Sequence, residues 1–441
     1  MTPGLIVRLR PAGPWRVGPD TGARSRVDSI YHSDSVYGAV TAAMARLGTL
    51  DEWLAATARA GEPAVSFSSC FPFLDEIGFI VPPRTIWPPQ SPSLMGARVR
   101  WKSARFVPLT MVQALVAGGR PDENAWTMDG PSECLVPAGR LGPFRMSVRF
   151  SAAVDRMTGA SERHSIACLE FRAGAGLWLV TAFRDDAARD RWSDRVKAAF
   201  RLLADSGFGG KRSRGWGRSE APEFIEGTLP DLILPAIVPA AGPSVATLPA
   251  EAPDQDIESS ATPSASELES LAQEIEGPNS AGDSAGPTQA APEGGDAPQG
   301  EASATNAARE TAGSVGLLEL EAPVEVETAD EAPVPEPQPE VVGTVEAGAK
   351  AHWLLSLFTP SGQDAVDWAR GNYWLVERSG RVDSPAGAGE LKKTLRMVGE
   401  GSVVYAKAAP HGSAPDVAPD GFPHPVFRAG FAVSVPLPEV S

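Results

Sequence analysis

From Gly4 to Arg10 hydrophobic and polar positions alternate, with Leu5, Val7 and Leu9 on one face and Arg8 and Arg10 on the other, which predicts a half-buried strand with a basic side. A Gly-, Pro- and Arg-rich stretch follows, and then the period lengthens. Val36, Val40, Met44 and Leu47 recur at helical spacing behind His32-Ser33-Asp34, where Ser33 or Asp34 is the expected N-cap. Residues 62–110 are punctuated by prolines and carry a basic cluster from Arg98 to Arg105 around Trp101, suited to a nucleic-acid groove or to an exposed basic strand. Alternation returns at Arg145–Phe150, with Met146, Val148 and Phe150 opposite Arg145, Ser147 and Arg149. A turn-rich segment, Ala153–Glu162, leads to the apolar run Gly176–Phe183, and two strands around an irregular excursion predict a projecting hairpin. Trp192, Val196, Ala199, Phe200 and Leu203 mark a second amphipathic helix ending at Asp205-Ser206-Gly207, with Gly207 just past its end and a strand expected from about Trp216 to Phe224.

Strand, helix, strand, strand, helix, strand is the order of a ferredoxin-like (RRM-like) unit, so residues 1–235 are expected to form one such domain, enlarged by insertions. Residues 236–349 are dominated by Ala, Pro, Glu, Gly and Ser, a composition too poor in apolar side chains to offset the chain entropy lost on folding. This stretch is expected to be a disordered acidic linker, with Leu268, Leu271 and Ile275 at helix-compatible spacing inside it. Order is expected to resume in residues 350–441, with strands at His352–Phe358, Trp368–Val376, Leu395–Tyr405 and Val426–Leu437, plausible as a second ferredoxin-like half. The expected class is α+β.

The formal charge of −16 misrepresents the ordered part. Residues 241–349 hold 22 of the 55 acidic residues and only one basic residue, Arg309, which leaves the other 332 residues with a net +5. That balance fits a binder of a short RNA. Cys70, Cys134 and Cys168 have no paired spacing that would suggest zinc or a redox couple. Without a charged leader, an apolar export segment or a spanning run, a cytoplasmic protein with no membrane partner is expected.

The stretch most suggestive of chemistry is Ser206 to Arg218, in which five glycines, four basic residues and two aromatics share thirteen positions. Gly207, Gly209, Gly210, Gly215 and Gly217 allow positive φ and close backbone approach to an anion. Lys211, Arg212, Arg214 and Arg218 supply charge for phosphates, Ser213 a hydroxyl, and Phe208 and Trp216 faces for bases. A solvated Gly-rich turn is the competing reading. A phosphate-binding NTPase loop is excluded, since Gly210-Lys211 is followed by Arg212 and Asp205 stands where the first glycine is required. A dinucleotide fingerprint fails at Arg212, three residues after Gly209, and the loop follows a helix where a strand is needed. Gly282-Asp-Ser-Ala-Gly286 mimics a nucleophile elbow but sits in the acidic stretch, without the strand and helix that an elbow requires. His32 is a candidate RNA contact, catalytic base or structural residue. His411 and His424 bracket Asp416 and Asp420 as a metal site or a plain polar loop. No metal or other cofactor is expected.

The Gly-rich loop after the last helix of a ferredoxin-like domain resembles the signature of the RAMP superfamily of CRISPR-associated proteins. His32-Ser-Asp-Ser-Val-Tyr-Gly-Ala39, Asp155-Arg-Met-Thr-Gly159, Gly209–Gly217, Val398-Gly-Glu-Gly-Ser-Val403 and His424-Pro-Val-Phe-Arg-Ala-Gly430 narrow it. Together they resemble the type III-A (Csm) effector subunit that caps the crRNA 5′ end. The resemblance implies a non-catalytic subunit with two ferredoxin-like domains. It would hold the crRNA 5′ handle, contact the large polymerase/cyclase subunit and abut the first backbone RAMP subunit. Carried over by position, the 206–218 loop grips the handle, with His32 and Ser33 among the candidate contacts, and the segment around Arg156 and Thr158 lies in a thumb-like hairpin against the guide. The acidic insertion departs from the family pattern. A RAMP-type endoribonuclease using His32 as base and a general single-stranded RNA binder remain as alternatives.

Overall fold

The computed structural model describes residues 1–18, 26–89, 95–235, 348–384 and 387–438. Nearly all of the predicted acidic linker, with Leu268, Leu271 and Ile275, lies outside the described residues.

The first strand, Thr2–Leu9, is the hub of the N-terminal sheet. It pairs antiparallel with Ala175–Phe183 on one side and with Glu223–Leu229 on the other. Val65–Phe67 and Phe71–Leu74 continue the sheet beyond Ala175–Phe183, followed by Ile77–Ile80 and Val107–Pro108. As the alternation predicts, Leu5, Val7 and Leu9 are fully buried. The arginines of the opposite face are spent internally: Arg8 donates to the Asp75 carbonyl at 2.8 Å and lies over the Phe73 ring, and Arg10 pairs with Glu223 at 3.0 Å. Helices Ser33–Arg46 and Asp186–Ser206 pack against each other and the sheet. Asp185 caps the second by accepting from the Ala188 N–H at 2.7 Å. Among the described residues no helix is long and apolar enough to cross a membrane.

Three local expectations change. The cap of Ser33–Arg46 is His32, without a side-chain bond, because Ser33 and Asp34 are committed elsewhere. The Ser33 hydroxyl accepts from the Leu357 N–H at 2.9 Å, and Asp34 binds two arginines of the C-terminal segment. The projecting hairpin exists, but the partner of Phe144–Val154 is Ser161–Phe171, and Ala175–Phe183 is instead a central strand buried along its length. The sequence hides the start of this strand, Ser161-Glu-Arg-His164, because the outer half of the hairpin is exposed and has no face that must be apolar, whereas its inner end, Ile166–Leu169, is buried. The strand after the Gly-rich loop is Glu223–Leu229, later than expected, an edge strand whose pattern is mostly exposed.

In the C-terminal segment, Lys350–Leu354 lies between Val403–Ala406 and Ser434–Pro436, with Val366–Asn372 beyond Val403–Ala406, all antiparallel. Two further hairpin pairings, Leu375–Arg378 with Leu395–Val398 and Arg381–Ser384 with Gly387–Leu391, complete its main strands. Where a second ferredoxin-like half is expected, the described residues form strands and no helix. The chain is α+β.

The two segments belong to one compact unit and share one hydrophobic core. Trp353, Leu355, Val403, Phe431, Val433 and Val435 join the N-terminal cluster, and the Phe431 ring meets Tyr37 edge-on at 5.5 Å. Backbone bonds Ser69 N–H to Leu355 O (3.0 Å) and Arg84 N–H to Gly401 O (2.9 Å) stitch them together. Each large side chain buried this way contributes about 1.5–3 kcal/mol.

Candidate nucleic-acid interface

The Gly-rich loop leaves the helix Asp186–Ser206 at Gly207, whose φ of 75° reverses the chain. Phe208 turns inward, edge-on to Trp15 at 4.7 Å and to Tyr31 at 5.3 Å, so its ring is a core anchor and is not free to stack on a base. The neck of the loop closes where the Phe208 N–H meets the Gly217 carbonyl at 3.2 Å. Gly217 has φ 77°, and a Cβ there would collide with the Phe208 carbonyl, so both its conformation and its space require glycine. Gly217→Ala is expected to cost about 1–3 kcal/mol, read as a lowered urea midpoint at unchanged slope.

Beyond the neck, the Gly210 N–H donates to the Arg16 carbonyl at 2.8 Å, which fixes the loop to the strand-to-helix connection. Lys211 has φ 65°, a left-handed conformation that costs an L-residue about 1–2 kcal/mol. Arg212–Arg214 forms a short 3-10 turn ending at Gly215. Arg212, Ser213, Arg214 and Arg218 are exposed, and Trp216 is half-buried. Lys211, Arg212, Ser213, Gly209 and Ser206 line an open polar cleft together with Arg46, from the last turn of Ser33–Arg46. Three cations around one open polar cleft make a positively charged surface that can take an anion. Arg46 was not among the residues singled out from sequence, because only the packing of the two helices brings it to the loop. Arg212 also binds Asp383 at 2.8 Å.

The hairpin extends eleven residues per strand, with Met146, Val148, Phe150 and Val154 exposed along it and Arg163 stacked over Phe150 at 3.8 Å. Its tip is shaped by Asp155, whose carboxylate accepts from the Met157 N–H at 2.9 Å and the Thr158 hydroxyl at 2.7 Å. The Thr158 hydroxyl bond, and after it the Met157 N–H, hold the Asp155 carboxyl below its usual range. Arg156 and Met157 are thereby displayed to solvent, while Thr158, also exposed, is used in the turn.

His32 and Ser33 are buried. His32 Nδ1 lies 2.7 Å from Glu400 Oε1 and Nε2 lies 3.4 Å from Asp28, which in turn binds Arg105 at 2.9 Å. Burial alone would lower the His32 pKa, but the Glu400 charge and the Asp28 hydrogen bond raise it to about 9. One helical step away, Asp34 is gripped by Arg378 at 2.9 Å and by Arg428, which hold its carboxyl well below the carboxylate range despite burial. This geometry gives His32 and Ser33 an interior, segment-joining role in place of the RNA contact expected of them. Neither His411, paired with Glu62 at 3.4 Å, nor His424, bound to Ser384 at 2.7 Å, meets Asp416 or Asp420 in a metal-binding group among the described residues.

Residues 347–437 match the family model of the CRISPR Csm4 C-terminal domain. The resemblance to a CRISPR-associated Csm subunit, drawn from short motifs, is thereby borne out. Comparison with curated protein sequences finds no match. Among solved structures, the chain is similar to the Csm3–Csm4 subcomplex of the type III-A interference complex at 11% identity and TM-score 0.48, covering 99% of each chain. It is similar to the Csm1–Csm4 cassette in complex with cA4 at 12% identity and TM-score 0.46, covering 100% of this chain and 99% of the other. The type III-B Cmr-beta complex bound to cognate target RNA matches at 8% identity and TM-score 0.30, over 51% of this chain and 61% of the other.

The C-terminal segment supplies the partners of the N-terminal polar motif. Glu400, Arg378 and Arg428 come from it, so the stretches His32–Ala39, Val398–Val403 and His424–Gly430, scattered in sequence, meet in one buried cluster. It also supplies Asp383 to the rim of the basic cleft.

Proposed function

We propose that this chain is a non-catalytic RNA-binding subunit of a type III-A CRISPR interference complex, holding the repeat-derived 5′ handle of crRNA in the cleft of the Gly-rich loop. The observation that carries this reading is the cluster of Arg46, Lys211 and Arg212 around an open polar cleft, in one compact unit with a Csm4 C-terminal segment. The N-terminal strand order, with Glu223–Leu229 and Ala175–Phe183 flanking Thr2–Leu9 and two helices packed on it, is that of a ferredoxin-like RNA platform. The hairpin tip, with Arg156 and Met157 outward, lies along the guide in this reading, and the large polymerase/cyclase subunit and the backbone RAMP subunit are the protein partners in a cytoplasmic assembly.

The loop reads a fixed handle through charge, backbone donors and the half-buried Trp216, while base pairing reads the guide. His32 supports the non-catalytic assignment: buried and protonated at neutral pH, it has no lone pair to accept a proton from a ribose hydroxyl.

Purifying the protein with its operon partners and sequencing the bound RNA tests the reading; random cellular RNA without a shared 5′ tag would sink it. Reversing Lys211 and Arg212 to Glu is expected to weaken handle binding at least about tenfold and to flatten the salt dependence by about 1.4, two single-strand phosphate contacts at about 0.7 each. An unchanged affinity and slope would remove the loop from the interface. Metal-independent cleavage of labelled repeat RNA by the purified protein would instead mark an endoribonuclease.

A further inference from the structure

We propose that Asp383 is an affinity-limiting residue of the basic cleft, a built-in carboxylate that competes with RNA phosphate for the Arg212 guanidinium. The inference rests on the RNA-binding reading and deepens it.

Arg212 is one of the three cations lining the cleft, and it is the one with a carboxylate on it, Asp383 Oδ2 at 2.8 Å from Nη2. Among the described residues Arg46 and Lys211 make no ion pair. The cleft therefore presents two open cations and one that is already occupied. The competitor is placed by structure and does not hang from a loose tail. Asp383 stands in the strand Arg381–Ser384, paired with Gly387–Leu391, with Val382 buried beside it. On its other side, Ser384 is tied to His424 at 2.7 Å.

The strength of the contact suits a filter. Arg212 is 41% exposed and Asp383 80% exposed, so water and salt screen the pair, and exposed pairs of this kind are worth a few tenths to about 1 kcal/mol. A contact that weak cannot block the cleft. Carboxylate and phosphate both offer anionic oxygens to a guanidinium, so one can replace the other. Any RNA that uses Arg212 must break the same pair, so the carboxylate lowers each affinity by the same factor: an RNA held by few contacts drops below the concentration at which it binds, while one fixed by further contacts on the loop keeps affinity to spare.

The test uses the full-length protein, a short fluorescent oligouridylate as generic probe, and a salt series. Asp383→Asn is expected to tighten oligouridylate binding about two- to fivefold, the fold-change equivalent of an exposed pair, and to steepen the salt slope by about 0.7. Handle-bearing RNA that uses Arg212 should gain by the same factor. Asp383→Glu, which keeps the charge, should behave as the parent protein does. In an Arg212→Ala background the gain from Asp383→Asn should vanish. An Asp383→Asn variant with unchanged affinity, or a gain that persists without Arg212, overturns the inference. If the parent protein binds and Arg212→Ala weakens binding while Asp383→Asn is neutral, only the filter fails. If the parent protein binds neither probe, the RNA reading itself fails.

Discussion

Asp34→Ala is expected to lower the unfolding free energy by about 3–5 kcal/mol, the cost of leaving buried guanidinium charge without its partner. Arg378 and Arg428 both end on this one carboxylate, at 5% and 7% exposure, and neither can reach bulk water without moving the packed segment that carries it. Domains commonly have about 5–15 kcal/mol in total, so the loss is a large share of what holds the molecule folded. It should appear as a drop in the urea midpoint at unchanged slope. Glu52→Ala is the control. Glu52 also binds two arginines, Arg191 and Arg195, but in solvent, and its loss should barely move the midpoint. Equal effects of the two substitutions would show that the buried cluster does not hold the segments together.

The second large effect is an alkaline loss of stability centred on His32. Its pKa rises from 6.5 in the unfolded chain to about 9 in the folded one, so the folded state binds the proton more tightly. The linked contribution, about 3 kcal/mol, is fully present below the unfolded value and disappears as pH climbs through the folded one. Unfolding midpoints should therefore fall between about pH 7 and pH 9.5. Asp34 and Glu400 act in the opposite limb: their carboxyl pKa values are depressed, so their contribution is present above the ordinary carboxylate range and is lost on acidification. In His32→Gln the alkaline limb should flatten, and of the acid limb the Asp34 share, held by Arg378 and Arg428, should remain while the Glu400 share shrinks with the loss of the His32 charge. An alkaline limb of the same depth in that variant would place its origin elsewhere.

What the sequence disclosed, and what it withheld, follows from the range of the interactions. Leu5, Val7 and Leu9, or Trp192, Val196, Phe200 and Leu203, face one continuous interior, so their periodicity is written in neighbouring positions and the elements are legible. Gly207 and Gly217 were legible as turn residues because backbone conformation is local. Phe208 was misjudged: among glycines and cations it resembled a stacking face, and only Trp15 and Tyr31, distant in sequence, show it to be an anchor. The run Leu395–Tyr405 was expected as one strand, but Gly399-Glu-Gly-Ser402 breaks it in two and turns Glu400 inward to His32. Nothing in the sequence names a partner 368 positions away. A partial signal was nonetheless available: the charged residues Glu400 and Arg428 stand alone in apolar and Gly-rich stretches, and a charge buried there is stable only with a partner. Arg46 and Asp383 gave no such hint, since each is an ordinary exposed residue until the fold brings it to the cleft.

The shared interior also separates two kinds of boundary. The stretch that matches a family model, residues 347–437, does not carry its whole interior with it: cut loose, it would bare Trp353, Leu355, Phe431 and Val433 and leave Glu400 facing no histidine. A chain severed between residues 242 and 343 would turn an intramolecular contact into a bimolecular one, subject to mass action. The two pieces would then be subunits of a heterodimer, reassembling only above a threshold concentration, and the peptide link between them sets that threshold at zero.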